Sequence, residues 1–177
     1  MLSPQSLSEP DRRRVAAWAA DCAERVLGLF EAEAPADGRP RDAIARARAF
    51  AAGELDAAGE IRRRFVANRA AQAVSSPAAK AAAWAAGQAA SVAHMGAHAL
   101  GASAYAAKAA ESAAPGTGGA AELVWQLARM SAPVRSALQR LPLLGENPSG
   151  PLGSGLLASG SLGAHIRSIQ AGLADAC

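Results

Sequence analysis

Apolar residues at helical spacing divide this chain into amphipathic segments. Val15, Trp18, Cys22, Val26, Leu29 and Phe30 share one helical face and predict a core-facing helix over about 9–33. Ser8 suits the N-cap, Pro10 the first turn and Asp11 the positive end of the helix dipole. The stretch from Pro35 to Gly38 breaks that helix, and a second runs from about Pro40 to Ala52, with Ile44, Ala47 and Phe50 or Ala51 inward and Gly53 as its stop. A third is predicted over 54–74 with Leu55, Ile61, Phe65 and Val66 inward, weakened at Gly59. Ser75, Ser76 and Pro77 form a loop and the cap of the next helix. Two helices follow, over about 78–92 and 96–113, with Gly96 and Gly101 allowing a kink or a close contact. After a turn from Pro115 to Gly119, a helix over 120–141 carries Leu123, Val124, Leu127, Val134 and Leu138, and Pro133 starts a second segment within it.

The pattern changes at Pro142. PLLGENPSGPLGSGLLASGSLGAH has no helical period before His165, from which a short helix over 165–174 is expected. The leucines argue against a freely solvated tail and for one partly ordered in a groove on the bundle. The organisation read from the pattern is an N-terminal arm (1–8), a helical domain (9–141) and a C-terminal extension (142–177).

Composition sharpens the fold class to all-α. Alanine fills 50 of the 177 positions, and β-branched residues are scarce. The expected architecture is a compact bundle of six to seven alanine-rich helices with a Gly/Ser/Pro/Leu-rich extension. The net charge of +3 is a mild excess. The runs Arg12-Arg13-Arg14 and Arg62-Arg63-Arg64 read as solvated helix surface, without the concentrated basic face and aromatics of a nucleic-acid binder. Between Lys80 and Lys108 there is no charged residue, but alanine is too weakly apolar for membrane insertion and Gln88, His94 and His98 oppose it. The start, MLSPQSLSEPDRRR, has no apolar signal core. A soluble cytoplasmic protein is expected, without membrane or nucleic-acid partner. Cys22 and Cys177 make neither a disulfide framework nor a zinc spacing, and Cys22 reads as core packing.

The chemistry on offer is concentrated in SVAHMGAHALGASAYAAK, residues 91–108. On one helix His94, His98, Gly101, Tyr105 and Lys108 would form a single stripe lined by small residues, either a pocket or a tight polar contact. Histidines four apart can ligate a metal, but a third ligand is needed and Met95 stands where a zinc protease has Glu. Asp21 or Glu24 of the first helix would have to supply it; no metal and no cofactor is expected, with His94 and His98 the only weak candidates for a metal. Asp21 lies on the core-facing side and needs a partner, with Arg25, His98 and Arg41 the available ones; Glu24 reads as solvent-facing. In GRPRDAI, Arg39 and Arg41 flank a proline at a helix start and could anchor a carboxylate of the bundle or of a partner. No nucleophile elbow, P-loop or dinucleotide fingerprint is present.

WAADCAERVLGLFE (18–31), RPRDAIARARAFAAGE (39–54), the alanine-rich segment 77–110 and ELVWQLARM (122–130) together resemble one bacterial family, the immunity proteins of polymorphic toxin systems, specifically the immunity-protein-five-like helical domain. The resemblance covers about residues 10–140 and departs at the glycine-rich end. It implies an all-helical domain that neutralises a cognate protein toxin. Asp21, Glu24, Arg39, Arg41, His94, His98 and Tyr105 fall in the matching motifs, and their roles do not come with the match. Three functions follow from the sequence. The first is an immunity-type binding protein. The second is a small-molecule binder or enzyme using His94, His98 and Tyr105 with Asp21, with Lys108 at the end of the stripe and the extension as a lid. The third is a purely structural helical module.

Overall fold

A computed structural model describes residues 3–63 and 65–174, with side chains described at 3–60 and 65–174. The run Arg62-Arg63-Arg64 and Cys177 therefore lie outside the described side chains. Among the described residues there are nine α-helices and no strand: α1 (Glu9–Glu31), α2 (Arg39–Ala52), α3 (Ala57–Arg63), α4 (Val66–Ala70), α5 (Pro77–Ser91), α6 (His98–Ala113), α7 (Gly118–Arg129), α8 (Ala132–Leu138) and α9 (Gly160–Ala174). The all-α expectation holds. The larger helix number arises because the segments 54–74 and 120–141 are each divided.

The helix ends follow local chemistry. The Ser8 hydroxyl accepts from the Asp11 amide, Ser76 from Ala79 and Ser131 from Val134, each a side-chain cap on an otherwise orphaned donor. Gly53 ends α2 at φ +83°, a conformation that costs glycine nothing. The helix read over 54–74 instead breaks into α3, α4 and a 3-10 turn, Ala71–Ala73. Phe65 falls at the break and is 52% exposed, and Val66 is exposed beside it, so neither takes the inward place the spacing predicted. α3 is held to α2 by a bidentate ion pair between Arg46 and the buried Glu60.

The centre of the molecule is α5 packed on α6, with α1 across both. Both helices are at least half alanine, and Ala82, Ala85 and Ala86 on α5 and Ala102, Ala106 and Ala109 on α6 are all fully buried. Each methyl buries little area, so the attraction comes from close backbone approach and dense dispersion contacts rather than from large side chains. Larger residues close the ends of this layer, among them Phe30, Phe50, Leu100 and Leu138.

The arginine run on α1 is built into the fold rather than simply solvated. Arg12 donates to the Leu7 carbonyl at 3.0 Å. Arg13 donates to the carbonyls of Phe50 and Leu55 and lies 4.5 Å over the Phe50 ring, fastening α1 to the end of α2. Arg14 pairs with Asp11.

Much of the described extension packs on the bundle. Leu152, Leu157, Leu162, Ile166, Ile169 and Leu173 are buried, and α9 begins at Gly160, five residues before the expected start at His165. The N-terminal arm holds it in place. Gln5 is buried; its Nε2 donates to the Ser149 carbonyl at 2.7 Å and its Oε1 accepts from the Leu152 amide at 2.9 Å. The carbonyls of Gln5 and Ser6 accept from the amides of Ala97 and Gly96 in the turn between α5 and α6.

Candidate functional site

Polar chemistry gathers in three places. The first is a face made by α1, α2 and α7. Asp21 Oδ1 accepts from Arg48 Nη1 at 2.8 Å and Oδ2 from Arg129 Nε at 3.1 Å, while Arg48 also pairs with Glu24. Arg48 bridges Asp21 and Glu24, one turn apart on α1, and although burial opposes its charge, those two carboxylates raise its pKa on balance. Next to them Arg25 lies 4.5 Å over the Trp125 ring and donates to Glu122 Oε2 at 2.8 Å. Asp21, Glu24, Arg25, Trp125 and Arg129 line a shallow depression, and Val124 stands 69% exposed on the same helix as Trp125. The expected partners of Asp21 were Arg25, His98 and Arg41. The structure replaces them with Arg48 and Arg129, because Asp21 sits at the edge of the core, where α2 and α7 reach it.

The second is a buried hydrogen-bond network behind that face. α7 turns Glu122 and Gln126 inward, not its exposed Val124. Gln126 Nε2 donates to the Ser103 carbonyl at 3.1 Å, and Gln126 Oε1 accepts from the Ser103 hydroxyl at 2.6 Å and from His165 Nε2 at 2.8 Å. Trp18 Nε1 donates to the Gln126 carbonyl at 3.1 Å. A carboxamide oxygen only accepts, so His165 carries its proton on Nε2. Burial lowers the His165 pKa to about 4 and keeps the ring neutral. Cys22 is buried beneath the same region, and burial, with Glu122 and Asp21 nearby, pushes its thiol up, so it packs as an inert small residue.

The third is a cleft of about 450 Å³ between α5, α6 and the loop of the extension, lined by Gln88, His98, Tyr105, Pro151, Leu156 and Leu157 together with Gly150 and Gly155. His98 Nδ1 and Gln88 Oε1 are 2.8 Å apart, so Nδ1–H donates. The Tyr105 ring tilts against Trp84 with centroids 5.4 Å apart, and burial raises its hydroxyl pKa. An alanine methyl at Gly101 would lie 2.2 Å from Gln88 Oε1 and 3.2 Å from Leu157, so glycine is what lets both side chains approach α6 here.

The stripe read from the sequence is only partly assembled. α5 ends at Ser91 and α6 starts at His98, so His94 lies in a turn and is exposed, its ring centroid 6.4 Å from that of His98. His98 and Tyr105 share the cleft; Lys108, half-buried further along α6, does not line it. The seam faces α5 and the extension, not α1, and Asp21 belongs to the other face. Arg39 is engaged by Asp37 and Arg41 by Glu31, both bidentate, which holds the start of α2 to the preceding turn and to the end of α1. Among the described residues no three His, Cys, Asp or Glu side chains gather to hold a metal ion, and no helix is long and apolar enough to cross a membrane.

Sequence reasoning missed Arg48, Trp125, Arg129, Ser103, Gln126 and His165. Trp125, Gln126 and Arg129 lay in the motif ELVWQLARM, Arg48 in RPRDAIARARAFAAGE and Ser103 in the stretch 91–108, but nothing local marked any of them as a partner, and His165 was read only as a helix start.

The fold and its polar regions define an all-α domain with ion pairs across its surface and a buried hydrogen-bond network around Gln126. Its sequence then places it more narrowly. The chain belongs to the family described as "Imm-5 like putative immunity protein", whose sequence model matches residues 5–133. No curated protein and no solved structure matches it. The matched region contains the α1–α2–α7 face and the floor of the cleft; α9 and the loop over the cleft lie beyond it.

Proposed function

We propose that this protein neutralises a cognate protein toxin by direct association, and that the α1–α2–α7 face is the surface that meets it. The observation that carries this reading is the exposed Val124 beside Trp125, set among Arg25, Arg129, Asp21 and Glu24, in a chain of an immunity family. Tryptophan and arginine dominate interface hot spots, and a surrounding ring of charged groups steers encounter and rejects wrong partners. The ion pairs of this face are at least partly solvated, so they add little to folding stability and are available for re-pairing with a partner. A stable one-to-one complex would cover about 800 Å² of each partner.

The test is co-expression with candidate polymorphic-toxin domains, together with a binding assay on each purified pair. Val124→Asp and Trp125→Ala are expected to weaken binding by at least roughly 2 kcal/mol each, about thirtyfold, and to abolish protection. Variants that protect as well as the parent chain would remove this face from the reading. A toxin that never associates with the chain would remove the reading itself.

A further inference from the structure

The cleft between α5, α6 and the extension has a chemical character of its own. Tyr105 is only 6% exposed, yet its hydroxyl makes no hydrogen bond to another described residue. It is not walled off, and the cleft is the open space it borders. A hydroxyl that reaches a cleft and has no protein partner is satisfied by whatever fills that cleft, water or a ligand group that displaces it. Gln88 adds a second donor. Its Oε1 is taken by His98, and its Nε2 has no partner among the described residues. The remaining wall is the His98 imidazole, the Tyr105 ring, a proline and two leucines, with no Lys, Arg, Asp or Glu among the described lining residues.

We propose that this cleft binds a small neutral molecule with an apolar or aromatic body and a carbonyl-type acceptor, the carbonyl accepting from Tyr105 and Gln88. The volume of about 450 Å³ lies within the range of small-molecule sites. The two free donors ask for an acceptor. The absence of Lys or Arg from the lining disfavours an anion, which would lose its hydration without gaining a counter-charge. Leu156, 69% exposed at the rim on a 3-10 turn between Gly155 and Ser159, gives the body of the ligand an apolar surface to cover.

The experiment is an NMR titration of the full chain with benzamide, compared with benzoate and toluene, which keep the ring but change or remove the acceptor. Benzamide is expected to give saturable shifts at the Gln88 side-chain amide and at Tyr105, at least about tenfold tighter than either comparator. Tyr105→Phe should weaken benzamide about five- to tenfold, one hydrogen bond, and leave the melting temperature unchanged because the hydroxyl supports nothing in the fold. Millimolar benzamide that shifts neither group would overturn the assignment, as would equal affinity in Tyr105→Phe or tighter binding of benzoate. A fall in melting temperature for Tyr105→Phe would show the hydroxyl to be structural and overturn it too. The toxin-binding reading stands apart from this result, since the two sites share no residue.

Discussion

Lowering the pH from 7 to 4.5 should strip stability from this protein through one residue, His165. Its ring is buried against Gln126 and Ser103, and desolvation holds its pKa at about 4, against an ordinary 6.5. A folded-state pKa below the unfolded one gives stability that is complete above about pH 6.5 and lost as pH falls toward 4, because only the unfolded chain takes up the proton in that window. Linkage over the two values puts the loss between pH 7 and 4.5 at about 2 to 3 kcal/mol, or roughly 5 to 10 °C in melting temperature for a chain of this length. The window ends at or above the ordinary values, 3.8 and 4.5, of Asp11, Glu31, Glu33, Asp37 and Glu111, whose pKa values are lowered in the fold, so that only the onset of their loss falls within it and most comes at lower pH. Urea denaturation at both pH values, on the parent chain and on His165→Gln, isolates the effect. Glutamine can still donate to Gln126 Oε1 but cannot titrate. The parent should lose the full amount and the variant less than about 1 kcal/mol. Equal losses in the two proteins would mean that His165 titrates normally, and the docking of α9 through a neutral buried imidazole would be refuted.

Two further outcomes test how the parts are joined. Gly118→Ala should destabilise by about 1 to 3 kcal/mol despite the better helix propensity of alanine, since the new methyl would lie 2.1 Å from the Ala110 carbonyl oxygen, a backbone atom that cannot swing aside; thermal melts decide, and a stabilised variant would refute the packing of α7 on α6. Gln5→Ala leaves the Ser149 carbonyl and the buried Leu152 amide without their partner and should cost about 1 to 3 kcal/mol while increasing amide exchange in the 145–157 loop, the second readout separating release of the loop from general loss of stability.

Much of the backbone plan was legible because its signals are local. Ser8, Ser76 and Pro133 mark helix starts that the structure places where they were read, and Gly53 ends α2 as expected. The break near Phe65 was not legible: only Gly59 hinted at weakness, and the spacing of Phe65 and Val66 still fitted a helix. α7 was read as carrying Leu123, Val124 and Leu127, with no role given to Glu122 or Gln126, yet those two are its buried residues. Their burial is compensated by Arg25 on α1, Ser103 on α6 and His165 on α9, partners far away in sequence that no window along the chain can reveal. The same holds for the pairing of Asp21 with Arg48 and Arg129. His94 and His98 were read as one turn of a single helix, but the backbone between them is spent on the arm, whose Gln5 and Ser6 carbonyls take the amides of Ala97 and Gly96. His98 and Tyr105 were singled out from the sequence and line one cleft; part of the wall that makes it a cleft comes from the extension, where glycine and serine hide any periodicity.

The alanine layer between α5 and α6 inverts the usual tolerance of a protein interior. A core of leucine and phenylalanine is damaged by trimming, since each lost methylene leaves a void. Ala85, Ala102 and Ala106 have almost nothing to trim, and replacement by glycine would cost each helix only about 1 kcal/mol of propensity. Enlargement is another matter. A valine or leucine at any of these fully buried positions must push its close-packed neighbours aside, in a layer that supports the arm, the extension and the turn that bears His94. Inheritable variation in this protein should therefore be asymmetric: its centre can drift toward smaller residues and is closed to larger ones, and new chemistry has room to evolve at the surface of α7 and in the loop over the cleft.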